Sequence, residues 1–152
     1  MPDDLERLAF DLSLRALGQQ EKVLEELRAR TGTLLTAAAL VTSFLGAGAL
    51  RDTHRGLALG GFAFAVASIL VSVYVLSPKN EFDFALSGPA VYEHFTEADA
   101  SLADTHRTIA YWNQTAWESN QIVIDNLIGW FRRGCASLVL AIAAWSLTLT
   151  LH

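Results

Sequence analysis

Charged side chains are absent from three long stretches of this 152-residue sequence. Residues 31–50, 56–76 and 134–151 contain no Asp, Glu, Lys, Arg or His, while the chain as a whole is 52% hydrophobic and only 18% charged. A helix of about 20 apolar residues is long enough to cross the hydrocarbon core of a bilayer. The three stretches therefore predict three membrane-spanning helices. Pumps and proton-coupled transporters hold their cargo with ionisable groups inside the membrane, so the absence of such groups argues against a transporter.

Features typical of enzymes and nucleic-acid-binding proteins are also missing. Cys135 is the single cysteine, which excludes an internal disulfide and a cysteine-rich metal site. A net charge of −5 argues against nucleic acid as a partner, because binding phosphates requires a basic surface. The sequence contains no glycine-rich phosphate loop, Gly-x-Ser-x-Gly elbow or paired-cysteine motif. We therefore expect no enzymatic activity, no catalytic or metal site and no cofactor.

Proline is scarce and is missing from residues 3–77 and 90–152, which permits long helices. Leucines recur at roughly helical spacing before the first span: Leu5, Leu8, Leu12, Leu17, Leu24 and Leu27. They predict an amphipathic helix whose apolar side lies on the membrane surface or packs against a helix of the same chain or of another copy. Its acidic polar side suits anionic lipid poorly, which favours packing. A second long helix is predicted to restart near Asp99 and to continue into the third span.

The expected fold class is all-α, with three transmembrane helices of which the first and third extend into the cytoplasm as long amphipathic helices. Four segments follow from this: a cytoplasmic helix over 1–30, a transmembrane hairpin over 31–76, a cytoplasmic loop and helix over 77–133, and a third transmembrane helix over 134–152. Turn residues at Pro78 and at Ser87-Gly88-Pro89 predict a loop or a short surface helix between them.

The distribution of basic residues predicts the orientation. Five of them lie near membrane ends on one side: Arg28, Arg30, Lys79, Arg132 and Arg133. Only Arg51 and Arg55 lie on the other side. Cytoplasmic flanks carry the excess of Lys and Arg, so the N-terminus is predicted to be inside and the C-terminus outside. The predicted membrane-interface anchors are Arg28, Arg30, Trp130, Arg132 and Arg133, since tryptophan and arginine both favour the headgroup boundary.

Small residues follow one another at helix-packing intervals within the spans. The candidate helix-packing positions are Ser43, Gly61, Ser68, Gly134, Ser137, Ala141 and Ala144. Small side chains allow close approach of helices in lipid. Two interpretations are open: packing of the three helices within one chain, or an oligomer whose hydroxyl groups line a water path.

An aromatic stretch of the second long helix is the candidate signal-sensing site. Trp112, Asn113 and Trp117 can stack on a nucleobase and hydrogen-bond with it. Packing of the same rings against the first helix is the alternative. Two nearby groups could bring a carboxylate and an imidazole together: Tyr92, Glu93, His94 and Glu97 on one helix face, and Asp104 with His106. Both lack the spacing of a metal or hydrolase motif, so we interpret them as solvated surface.

The whole pattern resembles small bacterial membrane proteins of antiviral conflict systems, the Pycsar-type transmembrane effectors and the SLATT proteins. The resemblance rests on the amphipathic first helix, the entry at residues 28–35, the helical hairpin, and the re-entry from residues 118–122 through Trp130-Phe131-Arg132-Arg133-Gly134. It implies an effector that forms a homo-oligomer in the bacterial inner membrane and perturbs or permeabilises it on a nucleotide signal or infection cue. The alternative is a non-conducting scaffold or partner subunit that holds another protein at the membrane.

Overall fold

The computed structural model describes residues 2–49, 55–79, 82, 84, 88–97 and 100–151. The first long helical stretch consists of α1 (Pro2–Val41), a π-helical turn (Thr42–Gly46) and a short α2 (Ala47–Ala49), and its uncharged part from residue 31 onward is the first candidate span. It is followed by α3 (Arg55–Leu76), α4 (Gly88–Glu97) and α5 (Leu102–Thr150). The expected all-α fold is confirmed, with no strand among the described residues and three helical stretches long and apolar enough to cross a membrane: Asp4–Ala49, Gly56–Leu76 and Leu102–Thr150.

Two local features differ from the sequence-based expectations or refine them. The helix expected near Asp99 begins at Leu102, because Ser101 Oγ accepts a hydrogen bond from the Asp104 backbone N–H and donates one to the Asp104 carboxylate. Gly88 and Pro89 open α4 instead of forming a turn, as proline in a first helical turn has no intrahelical N–H bond to lose. The segment expected between the two turns lies outside the described residues, except for Phe82 and Phe84.

The π-helical turn interrupts the regular hydrogen bonding of the first span. Just at its start, the Thr42 hydroxyl donates to the Ala38 carbonyl at 2.7 Å. At its end Gly46 is buried, and a Cβ on it would lie 3.3 Å from Cζ2 of Trp145. Single π-helical turns of this kind occur within α-helices and are frequent at functional sites.

The chain divides into two compact units. The polar unit comprises Met1–Glu25 and Lys79–Asp125, and the apolar unit comprises Glu26–Pro78 and Asn126–His152. Their charges differ in sign: fourteen acidic and five basic residues give the polar unit a net charge of −9, whereas two acidic and six basic residues give the apolar unit +4.

In the polar unit, α1 and α5 are parallel. The rings of Phe10 and His106 stack with centroids 5.0 Å apart, and further along both helices Asn113 Nδ2 donates to Ser13 Oγ at 2.9 Å. Another two turns along, Gln20 Nε2 donates to the Trp117 carbonyl and to Gln121 Oε1. Residue numbers thus rise together on the two helices, so both run in the same direction. The buried apolar side chains around these polar contacts are Leu17, Leu24, Ile109 and Ile124.

In the apolar unit, the first span is parallel to α5 and α3 is antiparallel to it. Close approaches join Gly134 to Leu34, Gly46 to Trp145 and Gly48 to Leu149, so residue numbers again rise together. Along α3 the order is reversed, because Ala58 and Gly61 meet Trp145 whereas Tyr74 meets Trp130. The two buried clusters of this unit contain Ala49, Ala58, Ala65, Ala141 and Trp145, and Leu34, Ala38 and Leu138.

Buried positions along α1 recur at alternating steps of three and four residues. They are Leu17, Gln20, Leu24, Leu27, Thr31, Leu34 and Ala38. This is the spacing of a coiled-coil seam, which keeps one stripe of a helix against its partner. Three of the leucines predicted to form the apolar side of this helix are therefore buried within the chain, whereas Leu5, Leu8 and Leu12 are exposed.

Candidate functional site

The outer surface of the apolar unit is the part of the molecule suited to lipid. Its exposed large side chains are almost all hydrocarbon, including Phe44, which is 77% exposed: Leu40, Phe44, Leu59, Phe62, Phe64, Leu70, Val73, Val139, Leu140 and Leu147. Soluble monomers rarely expose contiguous apolar surface on this scale. Together with the absence of charge from the three stretches, this surface indicates a membrane protein with three candidate spans.

The interior of the apolar unit holds small and hydroxyl-bearing residues. Thr31, Ser72 and Thr148 are buried, and each hydroxyl donates to a carbonyl one turn earlier in its own helix, at 2.7 to 2.9 Å. Ser68 Oγ is buried without a hydrogen-bond partner among the described residues. Hydroxyls that donate to a carbonyl of their own helix let helices pack closely in lipid.

Trp145 is the largest fully buried side chain of the apolar unit, and it was not among the residues singled out from the sequence. Its indole N–H donates to the Ala58 carbonyl at 3.1 Å, and the ring lies against Gly61 and Gly46. Glycine is required at Gly61 for this approach, since a Cβ there would lie 2.6 Å from Trp145 Nε1. The sequence carries no distinct signal for this role, since Trp145 lies six residues before the end of the third uncharged stretch and tryptophan is also frequent near a headgroup boundary.

The predicted helix-packing residues occupy three kinds of environment. Gly61, Ser68, Gly134 and Ala141 are buried, Ser137 and Ala144 are half-buried, and Ser43 is exposed. A Cβ on Gly134 would lie 3.0 Å from Val71 Cγ1 and 3.3 Å from Leu34 Cδ2, so this glycine brings α5 close to two other helices. The buried positions thus contribute to packing within one chain.

The predicted interface anchors lie at one level of the apolar unit. The Trp130 ring meets the Tyr74 ring edge-on with centroids 5.6 Å apart, and the Arg133 guanidinium lies 4.7 Å from the Trp130 centroid. Arg30 pairs with Glu26, Arg132 is exposed, and Arg28 Nε is buried without a hydrogen-bond partner among the described residues. Leu34 of α1 and Gly134 of α5 are in contact and therefore lie at the same height in the bundle. Counting back along the two parallel helices from this contact places Arg28 and Arg30 within about 10 Å of Trp130 along the helix axis. Guanidinium and aromatic groups at one level suit a layer of lipid phosphates.

The three candidate signal-sensing residues each contact a different part of the polar unit. Trp112 packs against α4, with its ring centroid 5.4 Å from that of His94 and 5.8 Å from that of Phe95. Asn113 is only 3% exposed and its amide donates to Ser13 of α1. Trp117 is half-buried, and its carbonyl accepts from Gln20. The aromatic cluster of Trp112, His94 and Phe95 was not predicted, because nothing in the sequence shows that the segment around His94 packs against the second long helix.

No metal-binding cluster of His, Cys, Asp or Glu occurs among the described residues. Comparison with known proteins adds no assignment: no protein-family model, curated protein or solved structure matches the chain. The basis for a functional proposal is therefore the fold, the apolar outer surface and the level of arginine and aromatic side chains around Trp130.

Proposed function

We propose that the chain is a small bacterial inner-membrane effector that oligomerises and perturbs or permeabilises the membrane when a cytoplasmic signal reaches the polar unit. One observation carries the proposal: α1 and α5 each continue without a break from the polar unit into the apolar unit. A continuous helix transmits a displacement along its axis, whereas a hinge absorbs it. The resemblance described above supplies the antiviral context and a nucleotide as the first signal to test.

The proposed orientation places the polar unit in the cytoplasm. Arg28, Arg30, Arg132 and Arg133 then lie at the inner headgroups, where anionic lipid attracts them. We expect that, in a Cys135→Ala background, a cysteine at Ser101 is protected from an impermeant thiol reagent applied to intact cells, whereas a cysteine at Thr53 is labelled. Labelling of Ser101→Cys but not Thr53→Cys would reverse the topology. Opening the cells should make both positions reactive, which controls for buried thiols.

The membrane activity is tested by induced expression with a membrane-potential dye. We expect depolarisation in proportion to the amount of inserted protein. The alternative, a non-conducting scaffold or partner subunit, is favoured by the packed interior of the apolar unit, where Trp145 lies among Ala49, Ala58, Ala65 and Ala141. Inserted protein without depolarisation, with and without added signal, would support the scaffold. Conduction by an effector would therefore require a path between copies.

The sensing role is tested by Trp117→Ala and Trp112→Ala. Both side chains belong to the polar unit, so neither change should prevent insertion, which depends on the apolar spans. We expect altered depolarisation per inserted molecule for both variants. Tyr92→Ala, which removes an aromatic ring that is 72% exposed, is the control and should match the unchanged protein. If the tryptophan variants lower only the amount of folded protein, the rings serve packing alone and the signal binds elsewhere.

A further inference from the structure

The exposed leucines at the start of α1 border an open groove in the polar unit. α1 and α5 line it with the apolar parts of a few residues: Leu5, Ala9, Leu12, Ala16, Ala110 and Tyr111. The groove has a volume of about 580 Å³, and Leu12 is 54% exposed within it. The stretch of α1 from Leu5 to Ala16 is about 17 Å long, which equals about three turns of a second helix.

The unbalanced charge in this groove is negative. Glu6 lines the groove, and its Oε2 is buried without a hydrogen-bond partner among the described residues. The basic residue in the lining, Arg107, is already paired with Asp104 at 2.7 Å. At the other end Gln114 donates to the Glu118 carboxylate at 2.8 Å, so that end is acidic too.

We propose that this groove receives a basic amphipathic helix of another protein. The apolar face of such a helix would pack against Leu5, Leu12 and Tyr111, and a Lys or Arg beside that face would pair with Glu6. The charge of the polar unit favours this occupant over two others, a second copy of the chain and an anionic lipid surface. With a net charge of −9, the polar unit repels both the same unit of a second copy and an anionic lipid surface, whereas it attracts a basic partner. The proposal concerns binding alone and does not depend on the membrane activity proposed above.

The test uses the full chain in nanodiscs of zwitterionic phosphatidylcholine and a fluorescent, 18-residue leucine–lysine peptide of amphipathic design. Anisotropy, corrected with empty discs, should show binding that weakens as salt is raised. A peptide of the same composition in scrambled order should bind at least about tenfold more weakly, because it cannot present one apolar face. A leucine–glutamate peptide of the same design should not bind. Equal binding by the ordered and scrambled peptides would overturn the proposal.

A matched pair of variants locates the site. Leu12 lines the groove, whereas Leu14 is on the same helix, is similarly exposed at 47% and does not line it. Leu12→Ser should weaken binding of the ordered peptide about tenfold, the loss expected for one leucine contact, and Leu14→Ser should leave it unchanged. Glu6→Gln should reduce both the affinity and its salt dependence. Equal affinities for the two leucine variants would contradict the proposal. So would a fall in the copy number of the detergent-solubilised protein caused by Leu12→Ser and not by Leu14→Ser, since a second copy would then occupy the groove.

Discussion

Gly61→Ala is expected to destabilise the apolar unit by about 1–3 kcal/mol, the usual cost of adding a methyl group where no space exists. The added Cβ would lie 2.6 Å from Trp145 Nε1 and 2.7 Å from Trp145 Cδ1, closer than real Cβ contacts. Trp145 is fully buried and also adjoins Gly46, so it has little room to move away. Any movement would also weaken the hydrogen bond from the indole to the Ala58 carbonyl. Thermal unfolding in detergent, followed by tryptophan fluorescence, measures the effect.

Gly60→Ala is the control for this experiment. Gly60 is the preceding residue of the same helix, but a Cβ on it would meet nothing within 4 Å. It should therefore leave the unfolding temperature unchanged or raise it slightly, because alanine has the higher helix propensity. Equal losses for the two variants would show that α3 does not approach Trp145 as described, and the packing assigned to Gly61 would be wrong.

The spans could be predicted from the sequence because a single physical requirement defines them. A residue in the hydrocarbon core is rarely charged, so uninterrupted uncharged stretches such as residues 56–76 identify a span without any knowledge of its neighbours. The two long helices were predictable for a related reason: proline is absent and leucine recurs at helical spacing. Capping details, such as the role of Ser101, shifted a boundary by a few residues only.

The partner of each helix surface could not be predicted in the same way. Leu5 and Leu12 look equivalent to Leu17 and Leu24 in the sequence, but the first two border an open groove and the last two are buried against α5. The periodicity of one helix does not specify where a second helix begins or on which side it packs. For the same reason the sequence grouped Trp112 with Asn113, although Trp112 contacts α4 and Asn113 contacts α1.

Two tryptophans of α5 show how far composition alone can mislead. Trp130 lies beside two arginines, from which an interface position is predicted, and in the structure its ring packs against Tyr74 and Arg133. Trp145 lies within an uncharged stretch and received no role, although it joins α3 and the first span to α5. The difference depends on two small residues far away in the sequence, Gly46 and Gly61, which make room for an indole. Such a three-way fit is visible only in the folded chain.

Trp145→Ala should therefore be among the most destabilising single changes in the chain. We expect a loss of about 3–5 kcal/mol, the range for truncating a buried tryptophan, because a cavity forms where three helical stretches meet. Trp145→Phe should lower the free energy of unfolding by less, because it keeps an aromatic ring. Some loss remains, because phenylalanine cannot donate the hydrogen bond to the Ala58 carbonyl. Leu147→Ala is the matched control: Leu147 is half-exposed on the outer surface of the same helix, and its truncation should change the unfolding temperature little. Equal unfolding temperatures for Trp145→Ala and Leu147→Ala would place Trp145 at the lipid surface and refute its role as the centre of the bundle.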